Sequence, residues 1–211
     1  MLISKSNLLK KILPVFSYLF HPIFIPTMGC VLFFYITKGY FFATKFEVLL
    51  ILFQVVLLTV FLPVSFYFLL KSFGMVDTIM ILNLSQRKKP LIIQAILILI
   101  LIKEGAIENR IFELYYYFLG GFLSTIFILI FLFFKIKISI HMVGMASLLF
   151  FVVGLSLHNY TNYIELISFL LLLTGFVASS RLLMKAHTNK ELFFGFVSGM
   201  ISQVVFWYFW L

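Results

Sequence analysis

The chain has 211 residues, 64% of them apolar, 11% charged and 19% aromatic, with a mean hydropathy of +1.17. That balance excludes an ordinary water-soluble globule and a disordered chain, and a lone cysteine, Cys30, excludes a disulfide scaffold. Sixteen Lys and Arg against seven Asp and Glu leave a net charge of +9; the cations fall in short gaps between apolar runs, which points to membrane topology and argues against nucleic acid as the partner.

Lys5, Lys10 and Lys11 precede an apolar run that reaches about Ile36. It is too long for a signal-peptide core of roughly 7–15 residues and lacks a small-residue cleavage site, so it is expected as the first spanning helix. Pro14, Pro22 and Pro26 each remove a backbone donor and make its start irregular. Phe46–Leu70 is expected as the second span, kinked at Pro63. A mixed segment, Lys71–Pro90, then ends in Arg87-Lys88-Lys89-Pro90. Leu91–Ile102 covers only about 18 Å at 1.5 Å per residue and crosses only when its helix continues to about Ile107. Ile111–Phe134, Ile138–Leu157, Tyr163 to about Met184 and Leu192–Leu211 follow, the last ending in an interfacial belt of Trp207, Tyr208 and Trp210. Strand alternation is absent, which excludes a membrane β-barrel. The expected fold is all-α: one integral membrane domain over residues 1–211, a bundle of seven spanning helices, with six as the alternative.

Seven spans place twelve of the sixteen cations on one side and leave Lys38, Lys45, Lys103 and Arg110 on the other. The basic side is expected to be cytoplasmic, with the N-terminus on it.

Polar groups beside apolar runs are expensive in a membrane and invite a functional reading. Three clusters fall on the basic side: Arg87-Lys88-Lys89-Pro90; Lys137 to Gly144, with Ser139 and His141; and Ser179 to Glu191, with Arg181 and His187. On a helix His187 and Glu191 share a face, so the carboxylate would orient the imidazole and raise its basicity. Arg181 offers a fork suited to phosphate oxygens. With His141 they form a minimal kit for phosphoryl transfer: one histidine attacks phosphorus, cations hold the developing charge, and the other histidine protonates the leaving oxygen. The bland alternative is an interfacial loop. His21 reads as a satisfied helix-end histidine, His158 as solvent-facing, and Cys30 as a small buried hydrophobe. Zinc on His141, His187 and Glu191 lacks an H-E-x-x-H motif or a Cys pair, and no metal or cofactor is expected. A serine hydrolase lacks its G-x-S-x-G elbow.

Ser180-Arg181, five residues, His187, three residues and Glu191 resemble the third motif of the type 2 phosphatidic acid phosphatase superfamily, with Glu in place of Asp. Ile138-Ser139-Ile140-His141 resembles its second motif, P-S-G-H, keeping Ser and His. Lys89-Pro90 resembles the end of its first motif, whose opening Lys falls at Leu82, with Arg87 or Lys88 as substitutes. The likeness covers a core of about residues 87–199. It implies that His187 is the nucleophile, Glu191 its orienting carboxylate and His141 the general acid. Arg181, Lys89 and Ser139 would hold phosphate oxygens. The implied function is hydrolysis of a phospholipid or polyprenyl phosphate in the bilayer, without a cofactor, in a bacterial cytoplasmic membrane. The alternative function is a non-catalytic member of the fold that binds anionic head groups or a partner protein. Ile140 puts a branched Cβ where the motif has glycine.

Overall fold

The structure, a computed structural model, describes residues 2–37, 44–77, 84–104 and 111–211. Leu82, Ile107, Lys38 and Arg110 lie outside the described residues. Within them the chain forms α1 (Leu2–Leu19), α2 (Ile25–Ile36), α3 (Lys45–Val56), α4 (Leu62–Ser72), α5 (Leu84–Glu104), α6 (Phe112–Phe133), α7 (Ile140–His158), α8 (Ile164–Leu183) and α9 (Asn189–Trp210), with no strand. Among the described residues five helices are long and apolar enough to cross a membrane: the continuous Lys45–Ser72, then α6, α7, α8 and α9. The protein is thus an all-α integral membrane bundle.

Prolines shape the first half of the chain. The run expected as one helix through Ile36 is two helices, parted at residues 20–24 around Pro22. Pro26 falls in the first turn of α2, where its missing N–H costs nothing. Between α3 and α4 the helix widens into a π turn at Leu57–Phe61. Pro63 cannot donate to the carbonyl four residues back, so the expected kink takes this form. Thr59 exploits the opening: it donates to the Val55 carbonyl at 2.8 Å and pairs with Thr27 of α2 at 3.3 Å. The short apolar stretch Leu91–Ile102 belongs to the 21-residue α5, which is about 31 Å long. Arg87, Lys88, Lys89 and Pro90 are therefore helical, within its first two turns.

Helix α7 is the axis of the bundle, with 67% of its candidate span buried. It runs parallel to α9 at close range. A Cβ on Gly195 would sit 2.6 Å from the Ser139 carbonyl oxygen, and one on Gly199 would collide with the Val143 carbonyl. Helix α2 also runs with α7, placing Ile25 beside Gly144 and Phe33 beside Phe151. The N-termini of α2, α7 and α9 thus meet at one end of the bundle, with the C-terminal end of α8 between them. Helix dipoles make that end favourable for anions.

The apolar core divides into a cluster around Phe33, Leu114, Phe151 and Leu155, another around Met145, Leu148, Val152 and Val177, and a smaller one around Leu91, Ile128 and Ile138. Several polar groups within the bundle are paired across helices, because lipid offers them no partner. The hydroxyls of Ser124, Ser147 and Ser202 join α6, α7 and α9. Gln203 donates to the Tyr117 carbonyl at 3.2 Å, and the Tyr117 hydroxyl donates to the Ile25 carbonyl at 2.8 Å. Such bonds contribute roughly 1 kcal/mol each.

The α7–α9 approach predicts that Gly199→Val destabilises the protein by about 1–3 kcal/mol, because backbone lies where the side chain must go. A Cβ on Gly175 would meet nothing within 4 Å, so Gly175→Ala should be neutral or mildly stabilising. Thermal unfolding of both variants in detergent checks the contrast.

Candidate functional site

The site is built at the converging end of the bundle. Helix α8 stops after Leu183, with Lys185 in the left-handed region (φ 51°) and the Ala186 N–H donating to the Arg181 carbonyl at 3.0 Å. This tight cap reverses the chain within five residues. Thr188 then caps α9: its hydroxyl accepts from the Glu191 N–H, and the Glu191 carboxylate accepts from the Thr188 N–H. This reciprocal box fixes the position of Glu191.

His187 therefore precedes the helix instead of sharing a helical face with Glu191. The carboxylate reaches back to it, and His187 Nδ1–H donates to Glu191 Oε2 at 2.7 Å. That bond leaves Nε2 with a lone pair. Burial pushes the imidazole below its ordinary value near 6.5, assisted by the charges of Lys137 and Arg181 and opposed by Glu191. His187 is thus neutral at pH 7, the form in which Nε2 is nucleophilic.

Lys137 ties the two site loops together. Its ammonium donates to the Ala186 carbonyl at 2.7 Å and lies 3.8 Å from Glu191. The Ser139 N–H donates to the Glu191 carbonyl at 3.1 Å, closing the same junction.

His141 occupies the first turn of α7. Its Nε2–H donates to the Ser17 carbonyl at 3.1 Å, across 124 residues of chain. Ser17 lies in the last turn of α1, where carbonyls lack helical partners, so the histidine caps α1. The Ser17 hydroxyl pairs with that of Ser180 at 2.6 Å, beside Arg181.

His141, Arg181, His187 and Arg87 line one cavity of about 510 Å³, and so does His21. Both guanidinium side chains are buried, Arg87 at 8% exposure and Arg181 at 4%. Arg181 feels the positive charge of Arg87. An anion entering the cavity would relieve that repulsion, and guanidinium forks suit phosphate geometry. The remaining walls are mostly apolar, formed by residues such as Phe66, Tyr67, Ile98 and Phe118. Polar groups return at depth with Ser124, Thr125 and Ser147. A cationic end above apolar walls matches a phosphate attached to a hydrocarbon tail.

Other expected ligands lie elsewhere. Arg87 and Leu91 face inward from α5, whereas Lys88 and Lys89 lie on its exposed flank, with Lys89 Nζ 3.0 Å from Met75 Sδ. Ser139 is fully buried behind the cavity wall, its hydroxyl without a hydrogen-bond partner among the described residues. Ile140 is in the wall instead. His158 is at the other end of α7, half-buried, 3.6 Å from Glu113 and against the Trp210 ring, so it is not simply solvent-facing. Among the described residues no three His, Cys, Asp or Glu side chains gather as metal ligands would.

Two site residues escape a reading by motif. Lys137 sits in a charged gap like several others in the chain. His21 has as its local signal only the break at Pro22. No protein-family model matches the chain, and neither a curated protein nor a solved structure matches it significantly.

Proposed function

We propose that this protein is an integral membrane phosphatase that hydrolyses a lipid phosphate or diphosphate through a phosphohistidine. The observation that carries the reading is the shared cavity: two arginines and the His141 and His187 imidazoles meet at the cationic end of an apolar chamber. In this mechanism His187 Nε2 attacks phosphorus, a P–N bond forms and the P–O bond to the lipid breaks. His141 enters this step as the imidazolium, a form the bound phosphate's negative charge favours, and gives its Nδ1 proton to the leaving oxygen while Nε2–H stays on the Ser17 carbonyl. Water then attacks the phosphohistidine, gives up a proton to His141 and releases inorganic phosphate. Glu191 keeps His187 oriented and stabilises the charge it gains. Arg181 and Arg87 hold the phosphoryl oxygens. Arg87 thereby takes the place that the resemblance gives to Lys89 and to the position at Leu82.

A non-catalytic role in binding anionic head groups is favoured by one observation, the displacement of the Ser139 hydroxyl from the cavity wall. A phosphate-release screen separates the two readings. Phosphatidate, phosphatidylglycerophosphate, a polyprenyl diphosphate and lipid A are offered to the purified protein, with a His187 variant as control. Release from at least one supports catalysis; binding without release supports the second reading.

Counting α5, and α2 with the turn before it, as crossings gives the proposed seven spans. The excess of cations in the site-end loops supports a cytoplasmic site, and the bacterial inner membrane is proposed on the motif resemblance alone. Helix α9 then delivers the C-terminus to the opposite side. A C-terminal reporter active only outside the cytoplasm should be functional, and a cytoplasmic C-terminus would reverse the orientation.

A further inference from the structure

The motif-bearing part of the chain begins near Arg87, yet the cavity is closed by residues from the α1–α2 turn. His21 lines it. Its ring stands edge-on to His141, with centroids 5.4 Å apart and planes at 86°. The ring is also held from its own side, because the Ile23 N–H donates to His21 Nδ1 at 3.4 Å. Pro22 rigidifies the dipeptide between them. A ring that accepts a hydrogen bond at Nδ1 is in a neutral tautomer. With Nδ1 accepting from Ile23, the single proton of the ring sits on Nε2.

The two facing histidines are therefore not equivalent. His141 directs its Nε2–H to the Ser17 carbonyl, so that donor is already engaged. His21 keeps an N–H that no described backbone group takes up. We infer that His21 is a third imidazole of the phosphate site, donating Nε2–H to a phosphoryl oxygen held between Arg87 and Arg181. The α1–α2 turn is then part of the binding site, in two ways: Ser17 positions His141, and His21 contacts the anion. The inference rests on the reading of the cavity as a phosphate site, and it adds a ligand that lies outside the segment carrying the motif resemblance.

Two substitutions separate contact from packing. His21→Phe keeps an aromatic ring against His141 and removes the donor. His21→Gln removes the ring and keeps an N–H donor. The experiment uses the full chain in detergent, with inorganic phosphate as the binding probe and a phosphatidate as substrate, and thermal unfolding as the check on folding. The expected result is that His21→Phe weakens phosphate binding and raises KM by about tenfold, near 1.4 kcal/mol, the low end for a hydrogen bond to a charged group. His21→Gln should stay within about threefold of the parent protein. A folded His21→Phe protein with unchanged phosphate affinity and KM would overturn the contact and leave the ring as packing. Equal loss in both variants would overturn it too, because a retained N–H donor would then fail to rescue binding. If the parent protein neither binds phosphate nor releases it from any lipid in the screen, the reading of the cavity falls and this inference falls with it.

Discussion

His187→Ala is expected to reduce phosphate release from the responsive lipid by at least about 10³-fold, to the background left by binding alone. The size follows from the role. Nothing else at the cavity combines a neutral imidazole lone pair with an orienting carboxylate at 2.7 Å. Glu191→Gln should cost less. Gln also satisfies the cap of α9, so the helix start survives while the charge that favours the developing imidazolium is lost. A single-turnover assay with acid-quench detection of phosphorylated protein checks both substitutions. Unchanged release from a folded His187→Ala protein would remove the mechanism.

The same residue sets a pH signature. A histidine held below 6.5 remains the free base as pH falls through 6.5 and is protonated only lower. The acid limb of kcat/KM assigned to His187 should therefore lie below pH 6.5, and it should shift in Glu191→Gln. The sign for stability runs parallel. Between its folded and ordinary pKa the unfolded chain binds a proton at His187 that the folded chain does not. This contribution thus destabilises the fold as pH drops through that window.

Arg181→Met is expected to lower kcat/KM by about 10²–10³-fold, the loss of one charged donor at the developing phosphoryl charge, near 2.7–4 kcal/mol. Methionine fills similar space without a charge. It also removes the repulsion with Arg87. Folding stability should therefore hold or rise, since a buried charge is costly to keep. Loss of rate with retained or raised thermal stability is the combination that identifies a functional arginine. Loss of both in proportion would make Arg181 structural. Arg181→Lys should recover only part of the rate, because an ammonium cannot present the bidentate fork.

Much of this architecture is legible along the chain because a membrane makes local demands. Each crossing needs a long apolar run, and the runs at 112–133, 140–158, 164–183 and 189–210 appear as helices within a few residues of their expected bounds. The break near Pro22 was foreshadowed as irregularity, yet its depth, two separate helices with a histidine between them, follows from what α2 packs against. The proximity of His187 and Glu191 is also local. Four residues suffice to bring them together, although a capping box and not a shared helical face does so.

The partners of those residues are another matter. Arg87, Lys88 and Lys89 are three adjacent cations, equivalent as composition. About 100° of helical rotation per residue sends one of them into the cavity and two to the exposed flank, and the packing of α5, chiefly on α6, sets that rotation. His21 meets His141 across more than a hundred residues through helices whose register depends on glycines at Gly195 and Gly199 and on proline breaks. Composition and short spacing settle what is paid for within a few turns, namely burial in lipid, helix starts and the neighbouring acid–imidazole pair. Which distant side chains share a cavity depends on how whole helices rotate and approach one another, a property of the packed bundle that no single segment carries.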